Sequence, residues 1–237
     1  LGDVYKRQAK EKIKEENRID LRDTLTFTID PEDAKDFDDA LSYKKLRNNN
    51  IEVGIHIADV THYVRENTSV DDEAKKRGTS VYLSDRVVPM LPETLSNDLC
   101  SLNPNEDKNV FSVIVEFDTT HKIINTNFNK SKINSNERMS YEEAQHILTK
   151  DNKEIPAYIS VTKKKRSVSS EVEKAIKALN LIAVNLKKTR QKEGSVFFNK
   201  EEVRFVVEKG EPVDYKVKKQ KQANFLIEEF MLLANVM

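Results

Sequence analysis

The sequence predicts an α+β fold, and three observations carry that expectation. Apolar and polar residues alternate with period 2 over residues 24–29, 51–57, 111–117 and 123–133, the pattern of sheet strands. Helix-start signals stand between these stretches, most plainly the capping box Ser140-Tyr-Glu-Glu. Residues 171–190 then place Val172, Ile176, Leu179, Ala183 and Leu186 on one helical face. A chain of 237 residues with 38% hydrophobic side chains can close one sizeable core.

Residues 1–18 stand outside that core. Residues 1–8 look like a translated adapter, and residues 9–17 are charged and read as a frayed helix or linker. The fold is expected to begin near Ile19.

The first strand, residues 24–29, alternates Thr24, Thr26 and Thr28 with Leu25, Phe27 and Ile29, which predicts a half-buried strand. It ends in a knot of carboxylates. Asp30 is pushed out of the helical region by Pro31, and Glu32, Asp33, Asp36, Asp38 and Asp39 follow with only Lys35 as a counter-charge. Carboxylates crowded this closely repel when desolvated, and a hard divalent cation removes the repulsion. The ligand set is oxygen only, which suits magnesium. An EF-hand loop is excluded, since Lys35 occupies its glycine position and Leu41 its terminal glutamate position. A solvated acidic turn is the bland alternative. It is disfavoured because apolar strands flank the loop on both sides.

The turn Arg47-Asn-Asn-Asn predicts a hairpin returning through residues 51–57. There Ile51, Val53, Ile55 and Ile57 share one face, and Glu52, Gly54, His56 and Ala58 the other. His56 and Asp59 are read as supporting residues near the acids, or as a hydrogen-bonded pair bracing the turn. Ser69, Asp72 and Glu73 open a helix that Gly78 stops, and Gly194 ends the helix over residues 171–190. Residues 150–170, with Pro156 and the run Lys163-Lys-Lys-Arg, read as a mobile loop. Strand 203–207 and the turn Lys209-Gly-Glu-Pro predict another extended pair. The run Lys216-Val-Lys-Lys-Gln-Lys follows it. In the last helix Asn224, Glu228, Met231 and Asn235 are read as a polar stripe, with Phe225, Leu232, Leu233 and Val236 facing the core.

Charge and composition exclude some classes. The 40 Lys and Arg balance the 40 Asp and Glu, so no global field draws the chain to nucleic acid. The part before residue 151 is net acidic, however, and the part after it net basic. Cys100 is the only cysteine, expected to be an inert core thiol, which excludes an internal disulfide. No apolar run is long enough to span a membrane. A cytoplasmic location is expected.

Four ordered blocks carry a family resemblance. Asp30-Pro-Glu-Asp-Ala-Lys-Asp-Phe-Asp-Asp-Ala-Leu, Val53-Gly-Ile-His-Ile-Ala-Asp-Val, Thr79-Ser-Val-Tyr-Leu-Ser-Asp-Arg-Val-Val-Pro-Met-Leu-Pro and Asn224-Phe-Leu-Ile-Glu-Glu-Phe-Met-Leu-Leu-Ala-Asn resemble the catalytic domain of the ribonuclease II and ribonuclease R family. They lean toward ribonuclease R. The resemblance implies an RNB-type domain, a mixed β-sheet with helices packed on one side, in which residues 19–237 form a partial catalytic domain. It implies a magnesium-dependent 3′-to-5′ exoribonuclease releasing 5′-mononucleotides from single-stranded RNA, with no DNA expected and no membrane. Asp30, Asp36, Asp38 and Asp39 would hold two Mg2+ roughly 4 Å apart, with Asp38 the most critical. Tyr82 and Phe197 would sandwich bases, and Glu228, with Glu229 as the alternative, would contact the nucleotide. Arg86 could meet a phosphate or pair with Asp85 or Glu93. The alternatives are a non-catalytic RNA-binding relative and a magnesium phosphohydrolase acting on small phosphate esters. The last helix reaches Met237 without Gly, Pro or cap, so a truncation is expected there.

Overall fold

The structure is a computed structural model that describes residues 17–83, 86–196, 202–208 and 211–237. In chain order the strands are β1 (Ile19–Asp20), β2 (Thr26–Asp30), β3 (Asp39–Lys45), β4 (Ile51–Ala58), β5 (Val81–Tyr82), β6 (Val87–Val88), β7 (Asp107–Phe117), β8 (Ile123–Asn134), β9 (Glu137–Ser140), β10 (Glu154–Ile155), β11 (Arg166–Ser167), β12 (Glu202–Glu208) and β13 (Glu211–Lys218). The helices are α1 (Ser69–Arg77), α2 (Tyr141–Lys150), α3 (Ser170–Lys192) and α4 (Gln222–Val236), with a single 3-10 turn at Val60–His62 and a π turn at Thr94–Leu99. Seven strands make one sheet in the order β1-β8-β7-β4-β3-β2-β9. Its five central strands are antiparallel neighbours, while β1 and β9 add parallel edges, so the sheet is mixed as expected.

Local chemistry sets the connections. Leu46 N–H donates to the Asn50 carbonyl at 2.9 Å, and Asn49 takes φ 66°, a left-handed conformation that asparagine tolerates at the tip of the β3–β4 hairpin. At the β7–β8 turn the Asp118 carboxylate accepts from the N–H groups of Thr120 and Lys122 at 2.8 and 2.9 Å. Helix α1 starts at Thr68, whose hydroxyl accepts from Asp71 N–H, and stops at Gly78, where φ is 71°. The predicted capping box forms in full between Ser140 and Glu143.

Strand parity sorts the sheet into two faces. Phe27, Leu41, Val53, Ile55 and Val115 point to the face that α2, α3 and α4 cover through Ile147, Ile176, Leu179, Leu226 and Phe230. Each fully buried Leu, Ile or Phe there contributes about 1.5–3 kcal/mol. The opposite face carries a smaller cluster, in which Ala40, Ala58, Val110 and Ile133 meet Phe37, Leu95, Leu102 and Val70 of α1.

Three expectations need correction. Strand β2 is not half-buried. Thr26 and Thr28 are 0% and 1% exposed, because β2 lies between β3 and β9 with packing on both faces. Residues 150–170 are not a loose loop. Ile155 and Val168 enter the main core, β10 pairs with β11, and Arg166 donates to the buried Glu143 carboxylate at 2.9 and 2.8 Å and to Glu137. Glu143, which the capping box holds inside, recruits that cation. In α4 the core residues are Ala223, Leu226, Ile227, Glu229 and Phe230, whereas Val236 is 81% exposed and Phe225 is half-buried beneath the Lys187 ammonium. So many of its residues are apolar that composition leaves the helical phase open, and packing against α2 and α3 sets it.

Candidate active site

The acidic loop is built from its buried residue outward. Phe37, between Asp36 and Asp38, is 5% exposed and plugs the smaller core cluster. The backbone is then tied down at several points. Phe37 N–H donates to Ser101 Oγ and Ser101 Oγ donates to the Lys35 carbonyl, each at 3.0 Å. Leu102 N–H donates to the Phe37 carbonyl at 2.8 Å, and Ala58 N–H to the Asp38 carbonyl at 2.9 Å. Arg138 donates to the Glu32 carbonyl at 2.7 Å while its guanidinium lies 4.9 Å from the Phe37 ring centroid. Lys163 reaches across to pair with Glu32. Asp39 is not in the loop at all, since it opens β3 and pairs in register with Ile57.

This bracing holds the carboxylates at an electrostatic cost. Burial pushes Asp30 up to about 7, and the charges of Asp39 and Asp36 push the same way. Burial raises Asp39 to about 6, with Asp38 adding to the rise. Asp38 is raised by desolvation and by Asp36. One oxygen of Asp30 and one of Asp39, both Oδ2, are buried without a hydrogen-bond partner. A buried unpaired carboxylate oxygen is among the most expensive groups a fold can retain. Among the described residues, no three acidic, histidine or cysteine side chains converge into a finished metal cage. The donor set nonetheless fits Mg2+: oxygen ligands only, with two buried oxygens that have no partner in the protein.

Of the residues expected to handle substrate, Tyr82 stands beside the acids. Tyr82, on β5, is 69% exposed and not a core residue, and its hydroxyl lies 3.4 Å from Asp36 Oδ2. Asp36 raises the Tyr82 pKa first, ahead of burial. Phe197 and Asp85 lie outside the described residues. Of the two glutamates on α4, Glu229 is 2% exposed and held by Arg190 at 2.9 and 2.6 Å, whereas Glu228 is exposed. The helical phase thus leaves Glu228, not Glu229, free to face solvent at the site.

The supporting residues are placed differently from expectation. His56 is fully buried on the second sheet face, with Nδ1 2.7 Å from Ser112 Oγ and Nε2 2.9 Å from Ser42 Oγ. Burial lowers it to about 3, so it is neutral. It pairs in register with Ala40, one residue past Asp39. Asp59 is held by Arg18 at 2.5 Å, Thr61 at 2.7 Å and the N–H of His62 at 3.1 Å. Burial works to raise Asp59, but these bonds hold it below the ordinary range. The two residues therefore brace β4 separately rather than as a pair. Cys100 is buried as expected, its thiol pushed up to about 12 by burial.

Sequence reasoning missed Tyr141. It is the first residue of α2, and burial, then the charges of Asp39, Asp30 and Glu228, raise its pKa. It thus joins the acids to α4. The capping box located it on the helix, but only the parallel register Asp30↔Ser140 brings it to the acids.

A family model described as the RNB domain matches residues 18–237. Ribonuclease R 1 of Lactococcus lactis is 40% identical over 92% of this chain, which spans only 26% of that relative. The solved structure of Mycoplasma genitalium RNase R in complex with ribose methylated single-stranded RNA is 31% identical, with a TM-score of 0.84 over 98% of this chain and 35% of that one. Yeast Ssd1, a pseudonuclease, shares the fold with a TM-score of 0.67 and 20% identity, covering 92% of this chain and 25% of that one.

Proposed function

The chain belongs to the RNB domain family, and from that premise we propose that the protein is a 3′-to-5′ exoribonuclease that hydrolyses single-stranded RNA to 5′-mononucleotides. One observation carries the catalytic reading: two buried carboxylate oxygens, on Asp30 and Asp39, have no partner in the protein. Asp30, Asp36, Asp38 and Asp39 would hold Mg2+. When bound, it supplies charge stabilisation to the attacking and leaving oxygens of a phosphodiester.

The chain's own residues do the rest. Phe37, Ser101 and Arg138 hold the loop so that its acids need not reorganise when a ligand arrives. Tyr82 presents an exposed ring beside Asp36, where a base near the cut end can stack. Glu228, near Tyr141 and on the same side as Asp39, contacts the terminal nucleotide. Arg190 holds Glu229 and so keeps α4 in the rotation that presents Glu228.

The test is to incubate single-stranded RNA, 5′-labelled to follow shortening and uniformly labelled to follow mononucleotides, with the full-length protein, with magnesium or with chelator. Magnesium-dependent shortening from the 3′ end with mononucleotide release is expected. Binding without cleavage would make the protein a non-catalytic RNA-binding relative, and undiminished cleavage by Asp38→Asn would refute the assignment of these acids as the metal site. Turnover of p-nitrophenyl phosphate with RNA left intact would make it a phosphohydrolase.

A further inference from the structure

The helix-bearing face of the sheet is not covered everywhere. Register pairing places Asp39 beside Ile57, Ile57 beside Phe111, and Phe111 beside Lys130, so these four side chains form one row across β3, β4, β7 and β8. With strands about 4.8 Å apart, Phe111 stands about 10 Å from Asp39 and Lys130 about 14 Å. The row is open to solvent: Ile57 is 37% exposed, Phe111 41%, and Phe128, diagonal to Phe111 on β8, 58%. The Lys130 ammonium lies 5.5 Å from the Phe111 ring centroid. Strand β8 carries Lys130 and Lys132 and no acidic residue from Ile123 to Asn134. Thr126, on the same face of β8, has its Oγ1 3.8 Å from Met237 Sδ.

We propose that Phe111, Phe128 and Lys130 form a platform on which a base of single-stranded RNA stacks while Lys130 meets its phosphate. The inference rests on the exoribonuclease reading and extends its substrate path to the open sheet face. Two neighbouring phenylalanines exposed on a sheet are costly in water, and with the Lys130 ammonium beside them they mark an interaction surface. Single-stranded RNA fits that surface in both parts. Every base offers a flat face to an aromatic ring, and every phosphate a charge to lysine. A basic, acid-free strand complements that backbone, and the row is continuous with Asp39, so an RNA held in the acidic site passes within reach of it.

The experiment uses the full-length protein with Asp38→Asn to suppress cleavage, and reads the affinity for fluorescent single-stranded oligoadenylate together with the melting temperature. Phe128→Leu keeps an apolar side chain and removes the ring. It is expected to weaken binding about 5- to 100-fold without a fall in melting temperature, and Phe128→Trp to retain the affinity. Lys130→Gln is expected to reduce the slope of log affinity against log salt by about 1. Affinities of Phe128→Leu and Lys130→Gln within twofold of the unsubstituted protein would overturn the platform and leave the exoribonuclease reading standing. Weakened binding in both Phe128→Leu and Phe128→Trp, with a lowered melting temperature, would show that the ring packs against protein, and would also overturn it. No RNA binding by the unsubstituted protein would remove both readings together.

Discussion

Replacing Asp30 by asparagine should stabilise the metal-free chain at alkaline pH, an unusual outcome for a substitution at a buried site. Asp30 is 8% exposed, and its carboxyl is raised from 3.8 to about 7 by burial and by Asp39. In the unfolded chain the group returns to its ordinary value. Between about pH 4 and pH 7 the folded state therefore holds a proton that the unfolded state has lost, and stability falls as pH rises through that window. Above pH 7 the cost is complete. Three pKa units correspond to about 4 kcal/mol, and the asparagine recovers less than that, because its amide inherits the unpartnered Oδ2 position at about 1–2 kcal/mol. A net gain of about 2 kcal/mol in chelator at pH 8 is expected, or about 4–8 °C in melting temperature for a chain of this size. At pH 4 the wild-type carboxyl is protonated and the gain should vanish. Magnesium should raise the melting temperature of wild type at pH 8 and raise that of Asp30→Asn much less. Calorimetric melts across pH, with and without magnesium, read all three effects. An Asp30→Asn variant destabilised equally at pH 4 and pH 8 would refute the claim that an unpaired buried charge resides there.

Other substitutions probe the frame and the site. Gly54→Ala should destabilise by about 1–3 kcal/mol, since its Cβ would stand 2.2 Å from Ser42 Oγ and 2.5 Å from His56 Nε2; an unchanged urea midpoint would show that the His56 ring can move aside. Arg166→Ala should cost about 3–5 kcal/mol by leaving Glu143 buried and unpaired, and a loss under 1 kcal/mol would mean that water replaces the guanidinium. Tyr82→Ala in the full-length protein should lengthen the final RNA fragment without stopping hydrolysis, and an unchanged end product on a sequencing gel would remove Tyr82 from the substrate path. Glu229→Gln should lower RNA turnover through misplacement of Glu228 and should be mimicked by Arg190→Ala; a double substitution whose effects simply add would argue against the coupling.

The sequence by itself determined the longer strands, the Ser140 cap, the β3–β4 turn and the acidic motif, because each of these is written in a few neighbouring residues, although the cap of α1 is Thr68 and not Ser69. Alternation at period 2 marks a strand wherever it pairs, and Ser140 with Glu143 closes a capping box regardless of the rest of the chain. The carboxylate knot from Asp30 to Asp39 and its need for a hard cation were legible for the same reason. Tertiary structure alone decided which faces are buried and which residues meet. Thr26 and Thr28 are inside because β9, more than a hundred residues later in the chain, pairs beside β2. The phase of α4 follows from α2 and α3, and it separates Glu229, locked to Arg190, from the exposed Glu228. Tyr141 reaches Asp30 and Asp39 through a parallel register, and Phe111 joins the row of Asp39 through two antiparallel ones. Such neighbours are set by long-range pairing, whose register depends on how the whole sheet buries its faces, and no local pattern encodes it.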